Sequence, residues 1–196
     1  SADYRESLRR YKPRVFVDGD RIECVVDEPR LEPGINAIGV TYDLALDQRY
    51  QEIMTAEYSA TGETVNRMLH INEEPQHLLN KLEATRLVCR ESGCAQRYLT
   101  HDAMNAIYQS SHQIDDAKNT EYLDRYKAYI EYVHANDLTL GVAMTDGKGD
   151  RSLRPHQQAN IDSYVHIKER RKDGILIRGA KAIITDAPSV PALIVM

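Results

Sequence analysis

Met144-Thr145-Asp146-Gly147-Lys148-Gly149-Asp150-Arg151-Ser152, read MTDGKGDRS, stands where the chain changes its pattern. Upstream, apolar residues recur at helical spacing; downstream they alternate and are β-branched. The stretch thus divides a mainly helical part, 1–138, from a β part that starts at 139, and the fold class that follows is α+β. Its two inner glycines let the backbone turn sharply and approach a ligand, while Lys148, Arg151, Thr145 and Ser152 supply donors for a phosphate or a polar ring. It sits where a cleft between the two regions would form. The order GKG does not match the P-loop spacing, and a polar Gly-rich segment is most often a solvated turn, so its weight comes from its surroundings.

Upstream, Leu123, Tyr126, Ile130 and Val133 predict a helix over 120–135, and Leu99, Ala103, Ala106 and Ile107 give 94–110 a buried stripe. Another helix opens near Asn72, with Glu73, Glu74 and Pro75 in its first turn, and runs to about Arg90 before Gly93 interrupts. Residues 35–55 read as one helix, 61–71 fit strand, loop or short helix, and 4–10 are helix formers. Strands Val15–Val17 and 21–23 flank a turn at Asp18-Gly19. Downstream, SYVHIKERRKDGILIRGAKAIITDA predicts a hairpin at Asp173-Gly174 and a further strand. The closing PALIVM reads as an apolar strand that stops without a turn, as in a chain cut part-way through a sheet.

With 196 residues, 42% of them hydrophobic, the chain can bury a real core. A net charge of -5 without a dense Lys/Arg run argues against a nucleic-acid footprint. No apolar run approaches the roughly 18–20 residues of a membrane-spanning helix, and the charged opening SADYRESLRRYKPR is not a signal peptide, so the expectation is a cytoplasmic protein. Cys24, Cys89 and Cys94 form no C-x-x-C pair and read as buried free thiols. Twelve tyrosines fit surfaces that are apolar on one side and wet on the other, as at subunit contacts or ligand clefts. None of the seven histidines forms an H-x-x-x-H pair, which leaves no zinc signature. His101 beside Asp102 is an acid–base candidate, although neighbours on a helix point apart. No G-x-S-x-G elbow supports a serine nucleophile, and Lys168–Asp173 reads as a solvated mixed-charge loop.

Five segments, ESLRRYKPRVFVDGDRIE, VTYDLALDQRY, GCAQRYLTHDAMNA, MTDGKGDRS and KDGILIRGAKAIITDAP, in this order and at these separations, resemble the 4-hydroxyphenylacetate 3-hydroxylase flavoprotein family, on its 4-hydroxybutyryl-CoA dehydratase branch. The resemblance implies an acyl-CoA-dehydrogenase-like fold: a helical N-terminal domain (1–138), the start of a β-barrel-like central domain (139–196), and a C-terminal helical bundle absent here. It implies FAD, with contacts on Met144, Thr145, Lys148, Asp150, Arg151, Ser152 and Thr185. Thr185, on the strand ending GAK…T, would lie against flavin and substrate, and Gln96 would hydrogen-bond an acyl carbonyl. Bland readings stand beside these: Asp150 braces the turn, Gln96 is a solvent-facing amide, and Thr185 serves strand propensity.

The dehydratase branch also carries a [4Fe-4S] cluster, two of whose ligands follow a C-x-x-x-C pattern. Cys94 matches the first and Tyr98 occupies the second, so one thiolate stands where the pattern has two. By resemblance the protein is a homotetrameric lyase that dehydrates or isomerises a short acyl-CoA by transient one-electron flavin chemistry, the 196-residue chain alone being inactive. Two alternatives remain: a reduced-flavin monooxygenase of phenols, fed by a separate flavin reductase, and a truncated accessory subunit without catalysis. The hydroxylase branch's G-R-S-P-D stretch is replaced here by YLTHD.

Overall fold

The computed structural model describes residues 1–196. The helices are α1 (Ala2–Arg10), α2 (Glu32–Leu46), the single turn α3 (Gln51–Met54), α4 (Pro75–Ser92), α5 (Tyr98–Lys118) and α6 (Tyr122–Ala135). The strands form four separate two-stranded sheets. Three are antiparallel: β1 (Val15–Val17) with β2 (Asp20–Ile22), β3 (Thr55–Tyr58) with β4 (Glu63–Asn66), and, later in the chain, β6 (His166–Arg170) with β7 (Ile175–Arg178). The fourth joins β5 (Leu140–Ala143) to β8 (Ala192–Val195) in parallel. No closed barrel forms. The β6–β7 hairpin is exposed almost throughout and has no apolar face to bring it onto β5 and β8. No residue from Met144 to Pro188 is buried.

Several element ends differ from the sequence reading, each for a local reason. The helix expected over 35–55 stops at Leu46, because the Asp47 carboxylate accepts the Arg49 backbone N–H at 2.9 Å and its Nη2 at 2.6 Å. Such a side-chain turn competes with helical bonds. Asn72 does not cap α4: its backbone N–H donates to Asn105 Oδ1 at 2.7 Å, and Glu74 precedes Pro75 at the helix start. Gly93 ends α4 as expected, in the left-handed region at φ 76°. α5 starts only at Tyr98, since Arg97 takes φ 62°, so Cys94 and Tyr98 do not share a helical face. The further strand expected after the hairpin reduces to one bridge, Asp146 to Lys181, because Ile183 and Asp186 both sit at φ 58°. Thr185 therefore lies in a turn, not on a strand. PALIVM does form a strand, but it pairs with β5, Leu140 facing Ala192 and Ala143 facing Val195.

Three apolar clusters hold these elements. The largest joins Tyr58, Val65 and Leu69 to Met104 of α5, Ile130 and Val133 of α6, Leu140 of β5 and Ile194 of β8, so helices and the parallel strand pair share one core across residue 138. A second packs Leu44, Met54 and Met68 on Ala84, Leu87 and Val88 of α4. The third packs Tyr4 and Leu8 of α1 on Ile35 and Ile38 of α2. On α5 the buried face carries Thr100, His101, Ala103 and Met104, whereas Leu99 and Ala106 of the expected stripe are exposed. The cysteines are free, as expected, but not buried: Cys24 is half-buried and Cys89 and Cys94 are exposed. No helix is long and apolar enough to cross a membrane.

Candidate functional site

Three separate segments meet around a cavity of about 350 Å³: the turn into α5, β5 with the residues after it, and the arch 183–190. Thr100 Oγ1 donates to the Leu140 carbonyl at 2.5 Å and fixes the first turn of α5 on β5. The Ala182 N–H donates to the Thr145 carbonyl at 2.8 Å and the Gly147 N–H to that of Ala180 at 3.2 Å. Lys181 pairs with Asp146 at 2.8 Å, and its ammonium donates to the Met144 carbonyl at 3.0 Å. This pairing holds the Asp146 carboxyl below its usual range. Gly141 keeps the strand pair close, since a Cβ there would come within 2.5 Å of Leu193 and 3.1 Å of Val190.

Of the residues singled out in the sequence, Cys94, Gln96, Tyr98, Met144, Thr145 and Thr185 line this one cavity. Lys148, Asp150, Arg151 and Ser152 do not; they follow it on the exposed loop. There Asp150 accepts from the Ser152 backbone N–H at 2.9 Å and from its hydroxyl at 2.6 Å, bonds that lower the Asp150 pKa. Both residues are thus committed to the turn. Gln158 reinforces it, accepting from the Asp150 N–H at 2.9 Å and donating to the Asp150 carbonyl at 2.7 Å. Lys148 and Arg151 are left as exposed, unpaired cations on this loop.

The sequence reading missed three features of the site. Arg97, wholly buried in its side chain, pairs with Asp137 at 2.8 Å and lies over the Tyr42 ring at 4.5 Å. Burial opposes its charge, but Tyr42 and Asp137 outweigh that and raise its pKa. Ile183, a β-branched residue at φ 58° and 84% exposed, forms the lip of the cavity in a conformation such residues rarely adopt. Asp186, also at φ 58°, is the one carboxylate in the wall. Burial raises its pKa above that of a free aspartic acid, and the neighbouring Gln96 partly offsets this. The only sequence signal for this arch was the turn chemistry of Asp186-Ala187-Pro188.

His101 does not face the cavity. It is buried, with Nδ1 3.5 Å from Asp102 Oδ1 and no partner on Nε2. Asp102 is instead paired with the buried Lys81 at 2.7 Å, whose ammonium sits 5.7 Å from the centre of the Tyr98 ring.

The donor set fits a flavin. Leu99, Val142 and Ile184 offer apolar walls for a ring and Thr145 and Thr185 offer hydroxyls to its polar edge; the exposed Lys148 and Arg151 of the following loop carry charge of the sign a pyrophosphate needs. It does not fit the ligand pair of an iron–sulfur cluster. Cys94 is one thiol, approached by Gln96 Nε2 at 3.0 Å, and Tyr98 presents a phenol. No group of three or more His, Cys, Asp or Glu side chains is gathered as metal ligands would be.

Comparison with known proteins agrees with the architecture. The chain is 39% identical over 180 residues to 4-hydroxybutyryl-CoA dehydratase/vinylacetyl-CoA-Δ-isomerase of Clostridium aminobutyricum, covering 91% of this chain and 37% of that protein. It superposes on an oxygen-tolerant archaeal 4-hydroxybutyryl-CoA dehydratase from N. maritimus with a TM-score of 0.95 at 37% identity, covering 100% of this chain and 39% of that one. The oxygenase component of 4-hydroxyphenylacetate 3-monooxygenase, solved with FAD and 4-hydroxyphenylacetate, shares the fold with a TM-score of 0.84 at 23% identity, over 100% and 40% of the two chains. This chain thus spans little more than a third of the length of such relatives. The model described as 4-hydroxyphenylacetate 3-hydroxylase N terminal matches residues 1–196, and the chain belongs to that family.

Proposed function

We propose that this chain supplies the flavin- and substrate-facing wall of an FAD-dependent dehydratase/isomerase that acts on a short hydroxyacyl-CoA, working as a homotetramer with an acyl-CoA-dehydrogenase-like fold. The observation that carries this reading is the convergence of Gln96, Thr145 and Thr185 on one apolar-walled cavity. FAD, when bound, supplies reversible electron transfer. The chain's own residues do the rest. Thr145 and Thr185 hydrogen-bond the ring edge, Lys148 and Arg151 offset the pyrophosphate, and the Gln96 amide donates to the acyl carbonyl and draws charge onto its oxygen. Leu99, Val142 and Ile184 exclude water and strengthen each of these polar contacts.

Arg151→Ala should weaken FAD binding by about tenfold, the low end for a charge-assisted hydrogen bond at an exposed site. Flavin fluorescence titration measures it, and unchanged affinity would remove the loop from the cofactor site.

Tyr98 favours a second reading, a reduced-flavin monooxygenase of phenols served by a separate reductase, because a phenol stands where the dehydratase pattern has a thiolate. The anaerobic holoenzyme should show flavin bands without a broad iron–sulfur background. Water loss from 4-hydroxybutyryl-CoA without oxygen uptake supports the first reading; oxygen uptake with a phenol and externally supplied reduced FAD would replace it with the second.

A further inference from the structure

We propose that Tyr4 is a positioning residue of the cavity: from α1, outside the wall, it holds the arch 183–190 in place against the flavin, an inference that rests on the flavin reading of this site. Its hydroxyl donates to the Ser189 carbonyl at 2.8 Å, across 185 residues of sequence. Both residues are buried, Tyr4 at 6% and Ser189 at 3% exposure. Neither Tyr4 nor Tyr42, whose ring stacks on it at 5.2 Å, lines the cavity.

The three segments that build the cavity are all tied to this pair of rings. The arch is tied through Ser189. The entry of β5 is tied through the Tyr42 hydroxyl, which donates to the Asp137 carbonyl at 2.8 Å and lies 2.8 Å from Thr139 Oγ1. The turn into α5 is tied through Arg97, whose guanidinium sits 4.5 Å from the centre of the Tyr42 ring. A frame of this kind fixes the spacing of residues on different segments, here Gln96, Thr145 and Thr185, before any ligand arrives.

The arch needs such a tie. None of its residues up to Pro188 is buried, so apolar packing does not hold it. At its near foot the Ala182 N–H donates to the Thr145 carbonyl; at its far foot stands Tyr4. Ser189 passes the restraint on, since its N–H donates to the Asp186 carbonyl at 2.7 Å, one residue from Thr185. A phenylalanine would fill the same core against Ile35 and Ile38; the hydroxyl is what reaches the arch. Burial, helped by Tyr42 and Asp186, raises the Tyr4 pKa, so the phenol remains a donor through neutral and alkaline pH.

The test is a double-variant cycle on the holoenzyme, stripped of FAD and titrated with it by flavin fluorescence. Tyr4→Phe keeps the ring, its stack on Tyr42 and its core contacts, and removes the hydroxyl alone. It should raise the Kd for FAD about fivefold, the scale of one hydrogen bond. Thr185→Val removes the ring-edge hydroxyl that the arch presents. In that background Tyr4→Phe should cost less than about twofold, because the contact it aligns is already gone. A merely structural Tyr4 would weaken FAD by the same factor in both backgrounds, whatever it did to the melting temperature. Equal losses in the two backgrounds, or a Tyr4→Phe variant within about twofold of wild type, would overturn the assignment. A wild-type protein that takes up no FAD overturns the flavin reading itself.

Discussion

Between pH 6.5 and 4.5 the folded chain should lose several kcal/mol of stability, before its carboxylates begin to matter. His70 and His101 are buried, and both have pKa values pushed down to about 4. Burial is the main cause for each, helped by His77 at His70 and by Lys81 at His101. Neither ring is fully satisfied: His70 Nδ1 and His101 Nε2 have no partner, so a proton there would gain no hydrogen bond. In the unfolded chain both titrate near 6.5. Their folded pKa lies below the unfolded one, so the native state is favoured fully above pH 6.5 and loses that advantage as pH falls toward 4. The drop from 6.5 to about 4 corresponds to roughly 3 kcal/mol per histidine. Urea unfolding at pH 7.5, 6.0, 5.0 and 4.5 measures it. His101→Leu should remove about half of the slope; an unfolding midpoint that does not move between pH 7 and 4.5 would refute the account.

Asp137→Asn should destabilise the chain by about 3 kcal/mol, the low end for breaking a buried ion pair. The Arg97 side chain is 0% exposed, while Asp137 is 43% exposed, so the variant leaves a guanidinium buried and uncompensated. Asn retains the acceptor oxygen and tolerates the φ of 40° at this position, which confines the change to the charge. Arg97 also donates to the Leu138 carbonyl at 3.2 Å, and those bonds remain. A fall in melting temperature of about 6–12 °C is expected for a chain of this size. The cavity should loosen with it, since Arg97 joins the turn before α5 to the entry of β5. A melting temperature within 2 °C of wild type would mean that Tyr42 and solvent suffice to hold the charge.

Helix-forming composition located α1, first-turn residues located α4, periodicity located α6, and turn chemistry located the hairpins at Gly19 and Gly174, because these signals are local. What the sequence concealed depends on which side chains find each other, two residues apart or forty. The α2 helix ends where Asp47 finds Arg49, and the left-handed Arg97 that delays α5 is held by Asp137, forty residues on. Thr185 looked like a strand residue because its neighbours are β-branched; the positive φ of Ile183 overrides their propensity. For the candidate site, family resemblance supplied Gln96, Thr145 and Thr185, which share the cavity, and Lys148 and Arg151, which stand outside it with free charges. Asp186 carries no periodic or motif signal. Only the folded chain brings it into the cavity wall.

The strands β5 and β8 are paired to each other and packed on Met104 and Ile130, whereas nothing between Met144 and Pro188 is buried. The loop that carries Lys148 and Arg151 therefore belongs to an excursion anchored at its two ends, and its sequence contributes little to the free energy of folding. Ligand preference and thermal endurance become separately adjustable in such a design. Substitutions at Met144, Thr145, Ile183 or Thr185 can retune what the cavity accepts while the helices below melt at the same temperature.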